Sequence, residues 1–199
     1  MGQSTTQISQ HEIDQATEKS KSYIPFSTEV LNKIEAIKNR YPEGKHKSAL
    51  IPVLHIAQGI ADNWLSVPIM DYVASLLNIT PIEVYEVATF YTMYNLKPVG
   101  KVLLEGCHTG PCSVRGAEDI IHHIENRIGC KVGQTSPDGM FTLKTVECLG
   151  ACGYAPMMQI GDYYYEHLTP EKTDVLLDEL RKNAQNGTLH LMRPNSMQS

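Results

Sequence analysis

The chain has 199 residues, enough for one domain or two small ones, and its 42% hydrophobic and 20% charged residues are the profile of a globular protein. Against 22 Asp and Glu, the 17 Lys and Arg leave a net charge of −5, which argues against a nucleic-acid binder, since nucleic acid selects basic surfaces. No apolar run approaches the ~18 residues of a membrane span, and the polar first 22 residues, with Glu12, Asp14 and Glu18, read as neither a secretory signal nor a transit peptide.

Residues 1–22 read as a flexible arm, because they lack the apolar content that would offset the entropy of ordering. Residues 23–97 are then helical by period, and four short helices with brief links predict an antiparallel bundle. Val30, Ile34, Ile37 and Tyr41 form one stripe. A second helix is expected from Ser48 to about Asn63, with Leu50, Val53, Leu54, Ala57 and Ile60 buried and Pro52 in its first turn. A third begins near Ser66 and turns Ile69, Val73, Leu76 and Leu77 inward. The fourth has the clearest start: Thr80 as N-cap, Pro81 at the first helical position and Glu83 three after the cap.

After Pro98-Val99-Gly100 the period changes, and residues 98–184 predict a sheet domain. Lys101 to Glu105 reads as a buried strand leading to Cys107. Ser113 to Ile128 reads as a helix with Ala117, Ile120, Ile121, Ile124 and Ile128 on one face and Gly129 past its end. Ser136-Pro137-Asp138-Gly139 is a turn, and Met140 to Glu147 a strand ending at Cys148. Pro156 to Ile160 and Tyr163 to Tyr165 flank a Gly161-Asp162 hairpin turn. Thr169-Pro170 opens a last helix to about Asn183, with Val175 or Leu176 and Leu180 inward, and residues 185–199 are read as a flexible tail. The order β-α-β-β-β-α fits a thioredoxin-like sheet, so the expected fold class is α+β, a helical bundle followed by a thioredoxin-like domain.

Four of the five cysteines fall in two pairs, Cys107-x4-Cys112 and Cys148-x3-Cys152, with 35 residues between them. Each pair sits in a loop just after a predicted strand, so a rigid sheet would fix both loops at one edge. Thiolates gathered at one point need a cation. Structural zinc sites prefer the tighter C-x2-C knuckle, and disulfides need an oxidising compartment that nothing here directs the chain toward. The spacing favours a [2Fe–2S] cluster, whose larger core tolerates an x4 gap, with zinc and paired disulfides as its rivals.

The residues around these cysteines resemble one family. Gly106-Cys107-His108-Thr109-Gly110-Pro111-Cys112, Val146-Glu147-Cys148-Leu149-Gly150-Ala151-Cys152 and Ala155-Pro156-Met157-Met158 are similar to the thioredoxin-like [2Fe–2S] subunits of respiratory complex I, the E subunits of NADH–quinone oxidoreductases. Val84 to Tyr94, followed by Pro98-Val99-Gly100-Lys101, resembles the same family, and the likeness runs from about Ile24 to about Arg181. It implies one [2Fe–2S] cluster held by Cys107, Cys112, Cys148 and Cys152, exchanging single electrons with a flavin. FMN and NAD are then expected on a partner NADH-oxidising subunit only, further iron–sulfur subunits join the assembly, and no nucleic acid is bound. The implied location is cytoplasmic, peripheral to the inner membrane through the complex. Soluble NAD-linked hydrogenases and formate dehydrogenases share the pattern, so the enclosing complex stays open; a structural zinc scaffold and a free-standing ferredoxin are the remaining alternatives.

Other chemistry-bearing residues read more blandly. Cys130 is expected to be a small buried residue at the start of a strand. His108, the one histidine in the cysteine loops, reads as a residue behind the ligands or in solvent rather than a Rieske ligand. His122 and His123 are adjacent on a helix, face different ways and read as surface residues. Tyr85, Phe90, Tyr91, Met93 and Tyr94 are either core or a contact surface. Gly110, Gly150 and Gly153 are turn glycines that also let backbone N–H groups approach sulfur. No G-x-G-x-x-G follows a strand and no P-loop exists, so nothing grips a nucleotide.

Overall fold

The computed structural model describes residues 26–186, and the expectations for residues 1–22 and for nearly all of 185–199 lie outside them. The chain divides into two compact units, Met1–Pro98 and Val99–Ser199. Among the described residues there are seven α-helices and four strands, an α+β protein.

The first unit is helical. Ser27 caps α1 (Thr28–Lys38) by accepting from the Val30 N–H, and Ile34 and Ile37 carry its buried stripe. The predicted second helix is two elements: a 3₁₀ turn, His46–Ala49, then α2, Leu50–Ile60. The chain leaves α2 through Asp62 and Asn63, both at positive φ. Ile60, the last residue of α2, is 39% exposed instead of buried. α3 (Val67–Leu77) stops at Asn78, which takes the left-handed conformation that closes a helix. α4 (Pro81–Phe90) starts as read: the Glu83 carboxylate accepts from the Thr80 N–H at 2.9 Å and from its hydroxyl at 2.8 Å. Leu54, Val53, Val73, Leu77 and Val84 are among the side chains that close a common core.

The aromatic stretch at the end of α4 divides between the two readings. Tyr94 is buried and donates to the Ile51 carbonyl at 2.9 Å, whereas Phe90 is 77% exposed. Gln58 holds this segment down, donating to the Met93 carbonyl at 3.0 Å and accepting from the Asn95 N–H at 2.7 Å.

The second unit is a four-stranded mixed sheet in the order β2-β1-β3-β4, with β1 Val102–Cys107, β2 Phe141–Val146, β3 Met158–Ile160 and β4 Tyr163–Tyr165. β1 and β2 are parallel, which requires the helical crossover the sequence supplies; β1–β3 and β3–β4 are antiparallel. The helix expected over Ser113–Ile128 begins earlier and is broken. α5 spans Gly110–Val114, Gly116 takes φ +90°, and α6 runs Ala117–Ile128. A residue with a side chain rarely adopts that φ, so the glycine lets the chain turn between the two helices. α6 buries Ile120, Ile121, Ile124 and Ile128 and packs on β1, β2 and α7 (Pro170–Gln185). On α7 the inward choice is Leu176 with Leu177 and Leu180, while Val175 is 54% exposed. Cys130 lies in a loop after α6 rather than in a strand, half-buried, with its Sγ 3.4 Å from the Gln134 carbonyl.

Candidate metal centre

The strand register brings the two cysteine loops together. Cys107 is the last residue of β1 and pairs with Val146, the last residue of β2; Cys148 follows two residues later. Neighbouring strands lie about 5 Å apart, and both run in the same direction, so both loops leave the sheet at one edge. That edge is the C-terminal end of the parallel pair. Cys112 enters on α5, and Cys152 opens a 3₁₀ turn, Cys152–Tyr154.

The four thiols differ in setting. Cys107 and Cys112 are buried in a small apolar cluster with Ala117, Ala155 and Met157, against which Leu149 and Ala151 pack. Cys148 and Cys152 are exposed, with their sulfurs 3.8 Å apart. That separation is far beyond an S–S bond, and all five cysteines are free thiols. The sulfurs lie as two pairs, Cys107 with Cys112 and Cys148 with Cys152, and a binuclear core, which takes two thiolates at each iron, fits a donor set of that kind.

The sulfurs also feel one another. Burial pushes the Cys107 thiol up, but the Thr109 hydroxyl, 3.3 Å away, and the amides of Leu149 and Thr109 outweigh it, leaving Cys107 below an ordinary thiol. Cys112 is pushed up to about 11, first by burial, then by its hydrogen bond to Cys107 and the charges of Cys107, Cys152 and Cys148. Cys152 is raised chiefly through its contact with Cys148. Cys112 and Cys152 thus resist ionising beside neighbouring sulfurs, the electrostatics of a donor set that calls for a cation.

Backbone and side-chain donors complete the site: the Gly150 N–H is expected from the sequence, and the Tyr164 hydroxyl is not. The Gly150 N–H points to Cys148 Sγ at 3.4 Å, with Gly150 at φ +79°. Tyr164 donates to the Leu149 carbonyl at 2.8 Å, and the His167 N–H to the Tyr154 carbonyl at 2.8 Å. Only strand alternation hinted at Tyr164: in Tyr163–Tyr165 the middle residue must face away from the side that its neighbours share. Of the histidines, His108 is exposed, and His123 turns from the surface to face Asp174.

Comparison with known proteins identifies the family. Residues 34–181 match the family described as thioredoxin-like [2Fe–2S] ferredoxin. The chain is 45% identical over 158 residues to the E chain of the NADH-quinone oxidoreductase of Rickettsia bellii, covering 79% of this chain and 95% of that one. It is likewise 45% identical over 169 residues to the mitochondrial NADH dehydrogenase [ubiquinone] flavoprotein 2 of Dictyostelium discoideum, covering 84% of this chain and 68% of that one. Among solved structures, an NAD+-reducing [NiFe]-hydrogenase in the air-oxidised state matches with a TM-score of 0.60 at 17% identity, over 72% of this chain and 24% of that one. At that identity the likeness is one of fold.

Proposed function

Because the chain belongs to the thioredoxin-like [2Fe–2S] ferredoxin family, we propose that it is the electron-transfer subunit of an NADH–quinone oxidoreductase, as its curated relatives are named. It is part of an oxidoreductase without being an enzyme alone. It carries one [2Fe–2S] cluster, which when bound takes up and returns one electron at a time.

The ligands in this reading are Cys107, Cys112, Cys148 and Cys152. The observation that carries it is the parallel register Cys107↔Val146, which sets two distant cysteine loops side by side. Cys107 and Cys112 supply a dry inner wall; Cys148 and Cys152 supply the open side, where an electron-exchange partner can approach. The Thr109 hydroxyl and the Gly150 N–H offer hydrogen bonds to sulfur, which favour the more negative, reduced state.

The partner is a flavin-bearing, NADH-oxidising subunit that holds FMN and NAD, joined by further iron–sulfur subunits, since this chain has no nucleotide-gripping motif. In this reading the chain is cytoplasmic and meets the membrane only through the complex; among the described residues no helix is long and apolar enough to cross a bilayer. The hydrogenase likeness, being of fold alone, adds no second reading.

Chemical analysis of the full chain tests the cofactor directly. Two irons and two inorganic sulfides per chain, with visible absorption, are expected. One zinc and no sulfide, in a colourless protein, would overturn the reading.

A further inference from the structure

The loop between Cys148 and Cys152 contains one peptide whose two ends are both engaged. Its carbonyl, on Leu149, accepts from the Tyr164 hydroxyl at 2.8 Å. Its N–H, on Gly150, points to Cys148 Sγ at 3.4 Å. The peptide is trans, and in a trans peptide the C=O and N–H lie in one plane and point in opposite directions. Whatever fixes the oxygen therefore aims the hydrogen. Gly150, at φ +79° with nothing within 4 Å of where a Cβ would stand, offers no steric means of holding that plane. Glycine is the residue most free to rotate it.

We propose that Tyr164 is a positioning residue for the iron–sulfur site: by holding the Leu149 carbonyl, it aims the Gly150 N–H at the sulfur of Cys148. This rests on the cluster reading given above. The fold supports Tyr164 in the task. It lies on β4, opposite Gln159 of β3, with Tyr163 and Tyr165 on the other side packed against the main core. The hairpin is thus anchored, and the third tyrosine is left to reach the loop. The same segment grips the loop's far end, where the His167 N–H donates to the Tyr154 carbonyl at 2.8 Å and the two rings meet edge to face at 5.6 Å. An N–H directed at a ligating sulfur stabilises the extra negative charge of the reduced cluster and so raises its potential. Losing that aim lowers it.

The experiment compares the full chain, cluster bound, as wild type, Y164F and Y163F. Y164F removes one hydroxyl and leaves the ring. Expected is a midpoint potential for Y164F more negative than wild type, with an altered electron paramagnetic resonance spectrum of the reduced state, while Y163F keeps both. Unchanged potential and spectrum in Y164F would overturn the inference and leave the cluster reading intact. A Y164F chain without its native circular dichroism would make Tyr164 a fold element and overturn it too. If no variant, wild type included, takes up iron and sulfide, the cluster reading fails and the inference with it.

Discussion

His123 Nε2 stands 2.9 Å from Asp174 Oδ1, tying α6 to α7. Arg127 joins them, its Nε 3.1 Å from the same oxygen and its Nη2 2.8 Å from Asp178 Oδ1. The His123 hydrogen bond first, then Arg127, hold the Asp174 carboxyl below the usual aspartate range, against the cost of its partial desolvation. A carboxylate lowered in the folded chain contributes its stability above the unfolded value near pH 4 and loses it as pH falls through the folded value. D174N is therefore expected to be less stable than wild type at neutral pH, with the difference shrinking below about pH 4. Urea unfolding across a pH series checks this; a constant difference at every pH would contradict it.

Replacing each of Cys107, Cys112, Cys148 and Cys152 by serine should abolish or badly distort the cluster. Serine keeps the size and replaces a thiolate with a far less acidic hydroxyl. C130S should keep the cluster, because Cys130 lies in the loop after α6 and packs against the main core. Iron and sulfide content per chain decides the matter, and equal loss in C130S would mean the ligand set is misassigned.

Thr109 Oγ1 lies 3.3 Å from Cys107 Sγ and helps hold that thiol below its ordinary value. T109V preserves the shape and removes the donor, so the reduced cluster loses a hydrogen bond. A midpoint potential shifted to more negative values is expected in redox titration. No shift, or a positive one, would show that the hydroxyl does not serve the sulfur.

Gly100 precedes β1 at a close approach between segments. A Cβ there would meet the Met140 carbonyl oxygen and the Phe141 carbonyl carbon at 2.9 Å, both backbone atoms that cannot swing aside. The Gly100 N–H also donates to Thr142 Oγ1 at 2.7 Å. G100A should destabilise the second unit by roughly 1–3 kcal/mol, as overpacking does, measured by urea unfolding. An unchanged midpoint would mean that the strand can shift at no cost.

Each unit closes its own apolar core. All four paired cysteines lie in the second, while the exposed Phe90 and Ile82 lie on α4 of the first. A fragment of residues 97–185 should therefore fold and hold its cluster, yet bind the flavin-bearing partner proposed above far more weakly than the full chain. Exposed apolar surface of this kind is what a partner covers. Pull-down and electron paramagnetic resonance on one sample read both halves of the prediction, and full-strength binding by the fragment would exclude the helical unit as the docking element.

Local chemistry was legible in the sequence by itself. Thr80-Pro81 with Glu83 marked the start of α4, Gly161-Asp162 the hairpin, and the α6 isoleucines a buried face, because capping, turns and helical period depend on residues within a few positions of one another. The cysteine spacing likewise pointed to a cluster. Tertiary structure decided what depends on partners distant in the chain. It put Leu176 rather than Val175 inward, since helical period alone cannot choose between adjacent residues without the surface they meet. It broke the expected helix at Gly116, where a glycine's backbone freedom is used for a turn. Above all, it set Tyr164 against the Leu149 carbonyl, a hydrogen bond across 15 positions of which strand alternation tells only which way the tyrosine faces. Period and spacing report neighbours along the chain; the aim of a peptide at a sulfur is set by neighbours in space.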